Sequence, residues 1–314
     1  MKAIGVTQFG GPDALEFLEL PEPRPGNGEV RLRVHAVAVN PTDTLIRSGI
    51  RRQTETAPPY VPGMDTAGVV DEIGPGVDDR LKLGMRVVAL VVPLGTHGSY
   101  AEKIVVPASS VVAAPVGASS AEASVLLMNA MTARLAVDAL GLVPGAVAAV
   151  TGAAGTFGGY AIQLAAADGI RVVADAKSDD VKLVSALGAE GVVERGEGFA
   201  NRVRALIPTG VSGVADGALL NDGAIPAIAD GGVLATLREW SGPAERGIRV
   251  RPVRARDAAT DTAGLERLVQ QAEQGVLTLR VARVLPATAA VEAHRLLEAG
   301  GLRGRIVLDF TEVG

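Results

Sequence analysis

Val150-Thr151-Gly152-Ala153-Ala154-Gly155-Thr156-Phe157-Gly158-Gly159 is the stretch that decides how this chain is read. Gly152, Gly155 and Gly158 recur at every third position. The apolar run A-V-A-A-V leads in, and an apolar-periodic stretch through Ala167 leads out, so the glycines predict a strand-to-helix turn. A helix N-terminus presents unpaired N–H groups and a partial positive charge, which favour phosphate. Glycine lets a backbone approach a pyrophosphate and lets helix and strand pack closely. The spacing G-x-x-G-x-x-G is one residue longer than the common G-x-G-x-x-G. In a strand–turn–helix setting it reads as a dinucleotide cradle, with Gly152, Ala154, Gly155, Thr156, Phe157 and Gly158 as contact candidates. A tight turn with no ligand is the alternative.

Downstream, the pattern alternates. The strand I-R-V-V-A-D-A precedes a helix over 180–187; then come V-V-E, the helix F-A-N-R-V-R-A-L-I, V-A-D-G-A and G-G-V-L-A-T-L. This βαβα order predicts a doubly wound parallel sheet. Upstream of about Ser119, short Val/Ile runs punctuated by Gly and Pro predict a compact β-barrel or sandwich. Ser119 with Glu122 three residues on is a capping-box pattern before a helix. The tail carries two amphipathic helices and a closing strand, R-I-V-L-D-F.

The cofactor follows from the end of the second strand, A-D-A-K-S-D-D. An acid there holds the ribose 2′-hydroxyl of NAD, whereas a cation accommodates the 2′-phosphate of NADP. Lys177, Ser178 and Arg195 favour NADPH over NADH; Asp175 is the residue that argues for the reverse.

Composition narrows the function. A chain of 314 residues allows two domains, and its net charge of −5 offers no basic footprint for nucleic acid. There is no cysteine, hence no thiolate catalysis and no Cys-ligated zinc. No signal peptide or membrane-spanning run is read, so a cytoplasmic location without a membrane partner is expected. His35, His97 and His294 are scattered, with no ligand spacing between them.

The whole chain resembles the zinc-independent quinone oxidoreductase (zeta-crystallin-like) branch of the medium-chain dehydrogenase/reductase superfamily. The likeness is carried by V-A-V-N-P-T-D-T-L-I-R-S-G, P-Y-V-P-G-M-D-T-A-G-V-V-D-E-I-G, H-G-S-Y-A-E-K-I-V-V-P, A-M-T-A, V-T-G-A-A-G-T-F-G and H-R-L-L-E-A-G-G-L-R-G-R-I-V-L. It implies an α/β chain in which a GroES-like β-barrel domain, built from both chain ends (1–120 and 257–314), flanks an inserted Rossmann domain (121–256), with the active site in the cleft. It implies NADPH-dependent hydride transfer to a quinone or another activated double bond, and a homodimer. Zinc-dependent relatives carry cysteine where this chain has Asn40 and histidine where it has Met64, so no catalytic metal is expected. By the same resemblance Asn40 is a polar contact near the nicotinamide or the acceptor oxygen, and Thr132 contacts the nicotinamide ribose.

Without a metal or thiol to polarise a carbonyl, simple alcohol oxidation is disfavoured, and a small-molecule acceptor that is already electron-poor fits better. Leu45 and Arg134 stand where the family often has aromatic rings. Tyr60, expected on a loop rim, and Phe157, expected more often to pack under its helix, are the nearest candidates to stack on a flat acceptor. An enoyl-thioester reductase, with Arg47, Arg51 and Arg52 as a basic rim for phosphates, and a non-catalytic NADPH-binding sensor or structural protein are the competing readings. Strands V-L-A-T-L and G-I-R-V-R-P-V are expected to pair edge to edge in a dimer.

Overall fold

The strand that feeds the glycine turn, Val147–Thr151, lies inside a six-stranded parallel sheet. In this computed structural model, residues 1–51, 57–93, 98–240, 242 and 245–312 are described; His97 and Arg52 lie outside them. The strand order is Gly191–Glu194, Arg171–Ala176, Val147–Thr151, Val211–Asp216, Ile228–Thr236, Arg249–Pro252. The chain therefore winds outward in one direction from Val147–Thr151 and then resumes on its other side. That reversal makes the gap between Val147–Thr151 and Val211–Asp216 the topological switch point, where ligands of such sheets bind beyond the carboxyl ends of the strands. Val150, Val172, Ala174, Val214 and Ala215 are all buried, without the alternation of a half-exposed sheet, as expected when helices cover both faces. Phe199, Val203, Ile228 and Leu234 belong to the apolar core on this sheet.

The helix after the turn runs Thr156–Ala167, as its periodicity predicts. The strand expected at V-A-D-G-A is instead Val211–Asp216. Gly217 follows it, and only glycine fits there: a Cβ would meet the Phe157 ring at 2.6 Å and the Thr151 carbonyl oxygen at 2.7 Å. V-L-A-T-L belongs to the second half of an interior strand, paired on both sides, so it offers no edge; the edge on this side of the sheet is Arg249–Pro252. This unit comprises Asn129–Ala255 and Gln274–Thr278.

The other unit comprises Met1–Met128, Arg256–Glu273 and Leu279–Gly314. Its main sheet runs Val281–Pro286, Arg305–Asp309, Glu29–Ala38, Asp65–Ile73, Arg86–Leu90, Val111–Ala113, and Lys103–Pro107 also pairs with Glu29–Ala38. The alternation Val30, Leu32, Val34 drives the central strand: these side chains are buried in the core with Ile104, Ile306 and Leu308. Val281–Pro286 escapes the sequence reading because it is an edge strand with Arg283 and Val284 exposed. Ser119 and Glu122 do form a capping box, and the carboxyl of Glu122 is held below its usual range by hydrogen bonds from the Ser119 N–H and hydroxyl. The helix they open ends at Ser124, and Leu127–Leu140 follows. Against the expectation of no spanning run, Ser120–Leu140 has the length and apolar composition to cross a bilayer, but 72% of that window is buried within the protein.

Candidate functional site

The glycine turn is shaped by two different demands. Gly152 has φ +66, a left-handed conformation that favours glycine. Gly158 has no room for a side chain: a Cβ would lie 2.3 Å from the Gly152 carbonyl oxygen and 2.6 Å from the Ala153 Cα. Gly155 is the helix N-cap with extended backbone, and a Cβ there would meet only the Gly152 oxygen, at 3.1 Å. Close packing thus rests on Gly158, and the open face of the turn lies at Gly155. Thr156, in the first turn of the helix, is buried, and its Oγ1 has no hydrogen-bond partner among the described residues. A bare backbone, a helix N-terminus and a buried unpaired hydroxyl fit a pyrophosphate. Ala154 is buried beside them.

Phe157 packs under its helix, as expected of it. Its ring is buried against Gly217, so it belongs to the packing of the turn and presents no face to a flat acceptor. Asp175 is also buried, at 3% exposure, and its Oδ1 accepts the Ala153 N–H at 3.0 Å. Burial raises its carboxyl above the ordinary range, opposed by the Ala153 N–H and by the charge of Arg195. Lys177, Ser178 and Arg195 are exposed. No motif in the sequence points to Thr236. It ends its strand in register with Asp216, which is in register with Thr151, and its buried Oγ1 has no partner among the described residues. Thr151 donates to Asp216 at 2.6 Å and accepts the Ala218 N–H at 3.0 Å. Thr132 is half-buried on Leu127–Leu140. Arg134, where the family often has a ring, pairs with Asp138 at 2.7 Å and Asp168 at 2.6 Å.

In the barrel unit, Asn40 caps the helix Pro41–Arg47 and lies between two buried carboxylates. Its N–H donates to Asp43 at 2.7 Å. Its amide nitrogen donates to Asp65 at 2.9 Å and to the Ala38 carbonyl at 3.3 Å. Both partners are acceptors, which fixes the orientation of the amide. Both hydrogens of this amide are spent inside the protein, and Asn40 is fully buried. Burial pushes Asp43 and Asp65 each up to about 7, against hydrogen bonds from Asn40 and Gly63 for the first and from Met128 and Asn40 for the second.

Asp43 continues into a chain. Tyr100 donates to it at 3.3 Å, Tyr100 meets His294 Nε2 at 3.1 Å, and Arg47 meets His294 Nδ1 at 3.1 Å. A guanidinium only donates, so Nδ1 accepts and Nε2 carries the proton toward Tyr100. Arg47 further donates to Glu298 at 2.6 Å and to the Gly10 carbonyl at 3.1 Å. Arg47 is therefore 4% exposed and no part of a surface rim. Tyr60 is likewise corrected from rim to core: it is 7% exposed, its backbone exchanges two hydrogen bonds with Val6, and its ring stacks on Phe9 at 4.7 Å.

These residues do not fit a catalytic zinc. Asn40 turns its amide nitrogen to two acceptors, Met64 is a buried thioether, and the chain has no cysteine. Among the described residues, no three His, Asp or Glu side chains are grouped to hold a metal ion.

Residues 26–116 match the family described as "Alcohol dehydrogenase GroES-like domain", and residues 169–308 match "Zinc-binding dehydrogenase". A chloroplastic quinone-oxidoreductase homolog of Spinacia oleracea is 34% identical over 204 residues, which are 62% of this chain and 61% of the relative; the match thus spans about three fifths of that protein. A solved NAD-dependent alcohol dehydrogenase superposes with TM-score 0.87 and 33% identity, covering 98% of this chain and 99% of that one. A mycobacterial structure complexed with NADPH superposes with TM-score 0.88 and 29% identity, covering 98% of this chain and all of that one.

Proposed function

The chain belongs to the quinone oxidoreductase branch of the medium-chain dehydrogenase/reductase superfamily, and from that premise we propose that it is an NADPH-dependent reductase of a quinone or α,β-unsaturated carbonyl, working without zinc. The observation that carries the reading is the glycine turn at the switch point, followed by the exposed cations Lys177 and Arg195. The turn N–H groups, the Thr156 hydroxyl and the N-terminus of Thr156–Ala167 would hold the pyrophosphate; Lys177, Ser178 and Arg195 would hold the 2′-phosphate. NADPH, when bound, supplies the hydride.

The protein's share is orientation and exclusion of water. Asp65 and Ala38 pin the amide of Asn40, so its N–H groups are not available to donate to a developing oxyanion. The closing proton then comes from water. An acceptor whose own conjugation stabilises the added electrons suits a site with this little electrophilic help. Self-association through the edge strand Arg249–Pro252 is part of the proposal.

The thioester alternative loses one of its three rim arginines, since Arg47 is turned inward to Glu298 and His294. The test is NADPH absorbance decay with a quinone, an enone and a crotonyl thioester in parallel, together with elemental analysis. Decay with quinone or enone and no stoichiometric zinc is expected. Tight NADPH binding with no decay on any acceptor would favour a non-catalytic role, and stoichiometric zinc would overturn the metal-free mechanism.

A further inference from the structure

Asp175 stands where the two nicotinamide coenzymes make opposite demands. It lies on Arg171–Ala176, two residues before Lys177, with one oxygen on the Ala153 N–H of the turn at 3.0 Å. The charges that face it are Arg195, just past Gly191–Glu194, and Asp216, at the end of Val211–Asp216. Hydrogen bonds from the Ala153 and Gly152 N–H groups and the charge of Arg195 draw it toward ionisation; burial, the largest single influence, and Asp216 oppose that.

An ionised carboxylate at this point of the fold accepts from a ribose 2′-hydroxyl. The same carboxylate repels a 2′-phosphate, which Lys177 and Arg195 attract. The conflict disappears when Asp175 takes up a proton, and a neighbouring phosphate itself favours that uptake. Resting on the nucleotide-binding reading above, we propose that Asp175 is a proton-linked selector between coenzymes, protonated with NADPH bound and ionised with NADH bound. The proton comes from solvent and returns to it on release. NADPH binding is then coupled to proton uptake, and the preference for NADPH over NADH declines as pH rises.

The 2′-phosphate has its own titration. A phosphate monoester loses its second proton near about pH 6, and cations favour the dianion, so this contribution strengthens NADPH binding as pH rises. The opposite sign separates the two groups. Asp175→Asn keeps a carbonyl acceptor for the Ala153 N–H and removes the carboxylate.

The experiment is calorimetric titration of the full chain with NADPH and with NADH from about pH 6 to 9, in buffers of differing ionisation enthalpy, for wild type and Asp175→Asn. Expected for wild type is uptake of up to about one proton per NADPH, little with NADH, and an NADPH-to-NADH affinity ratio that falls by up to about tenfold per pH unit over part of the range. D175N should bind NADPH without that uptake and bind NADH more weakly than wild type. Equal proton uptake in wild type and D175N, or a wild-type affinity ratio independent of pH, overturns the proposal. Wild type that binds neither nucleotide overturns the glycine-turn reading as well, so the two failures are distinct. Should D175N not fold, the wild-type proton count decides.

Discussion

Arg47 and His294, 247 positions apart in sequence, meet at 3.1 Å with the guanidinium donating to Nδ1. The proton of the imidazole must then lie on Nε2. The chain Arg47 to His294 to Tyr100 to Asp43 is a one-way run of donors from a cation to a carboxyl. It ties the helix Pro41–Arg47, which Asn40 caps, to the C-terminal helix Ala290–Ala299. Arg47 stays protonated, so the chain carries orientation rather than net protons.

Acid should loosen this tie. Protonating Nδ1 would aim an N–H at the guanidinium, and burial first, then Arg47, pushes His294 down to about 3. The unfolded chain's imidazole binds its proton near about pH 6.5, so this group's stabilisation is complete above that pH and is lost as pH falls toward 3. His294→Gln keeps an acceptor for Arg47 and a donor for Tyr100. Urea unfolding should show the wild type losing ground to H294Q as pH drops, whereas His294→Ala should cost about 3 kcal/mol at neutral pH. Parallel pH profiles for wild type and H294Q would contradict the assignment.

Asp65 should govern Asn40. Its two oxygens separately accept the Met128 N–H at 2.8 Å and the Asn40 amide at 2.9 Å. Asn at position 65 has one acceptor for two donors, so D65N should cost about 1–3 kcal/mol. It should also lower kcat/KM by letting the Asn40 amide turn over. Thermal unfolding and steady-state kinetics check both; unchanged values would show that the amide is not held from this side.

Which parts of this were legible beforehand follows from the range of each interaction. The glycine turn is local: a strand, a bend and a helix within about twenty residues, each with its own pattern, and Thr156–Ala167 falls where periodicity places it. That the sheet is parallel and doubly wound follows from the alternation of strands and helices. The Asn40 corner is not local. Asp43, Tyr100 and His294 come together from three distant segments, and nothing in N-P-T-D says that its asparagine spends both amide hydrogens inward. Arg47 reads as surface charge in I-R-S-G-I-R-R because its partners, His294 and Glu298, lie near the other end of the chain.

The glycines should separate into two classes. A side chain on Gly158 must displace the backbone at Gly152 and Ala153, so Gly158→Val should prevent folding of this unit or cost about 4 kcal/mol or more. The Cβ of Gly155→Val meets only the Gly152 oxygen, at 3.1 Å, and the φ of −74 suits any residue. G155V should fold and lose NADPH binding by about a hundredfold or more, because its side chain occupies the face where phosphate would sit; this corresponds to roughly 3 kcal/mol. Circular dichroism with nucleotide titration distinguishes the classes, and a folded G155V with wild-type affinity would remove the turn from the binding site.

Self-association should respond to salt in an unusual direction. The edge strand Arg249–Pro252 carries Arg249 and Arg251 on one face, since side chains two apart share a face. In an antiparallel two-fold pairing centred on Val250, Arg249 of one protomer stands opposite Arg251 of the other, twice. Like charges directly opposite destabilise a pair by several tenths of a kcal/mol up to about 1 kcal/mol each, and Pro252 brings no N–H to the ladder. Screening weakens that repulsion, so the dimer should tighten as salt rises from about 0.05 to 0.5 M, where an interface held by ion pairs would loosen. Arg251→Glu replaces both repulsive pairs by attractive ones; its dimer should be tighter than the wild type's at low salt and should weaken as salt is added. Sedimentation equilibrium across the salt series reads the constants directly, and a wild-type dimer that dissociates with salt, or a monomer under all conditions for both proteins, would mean that this edge is not the interface.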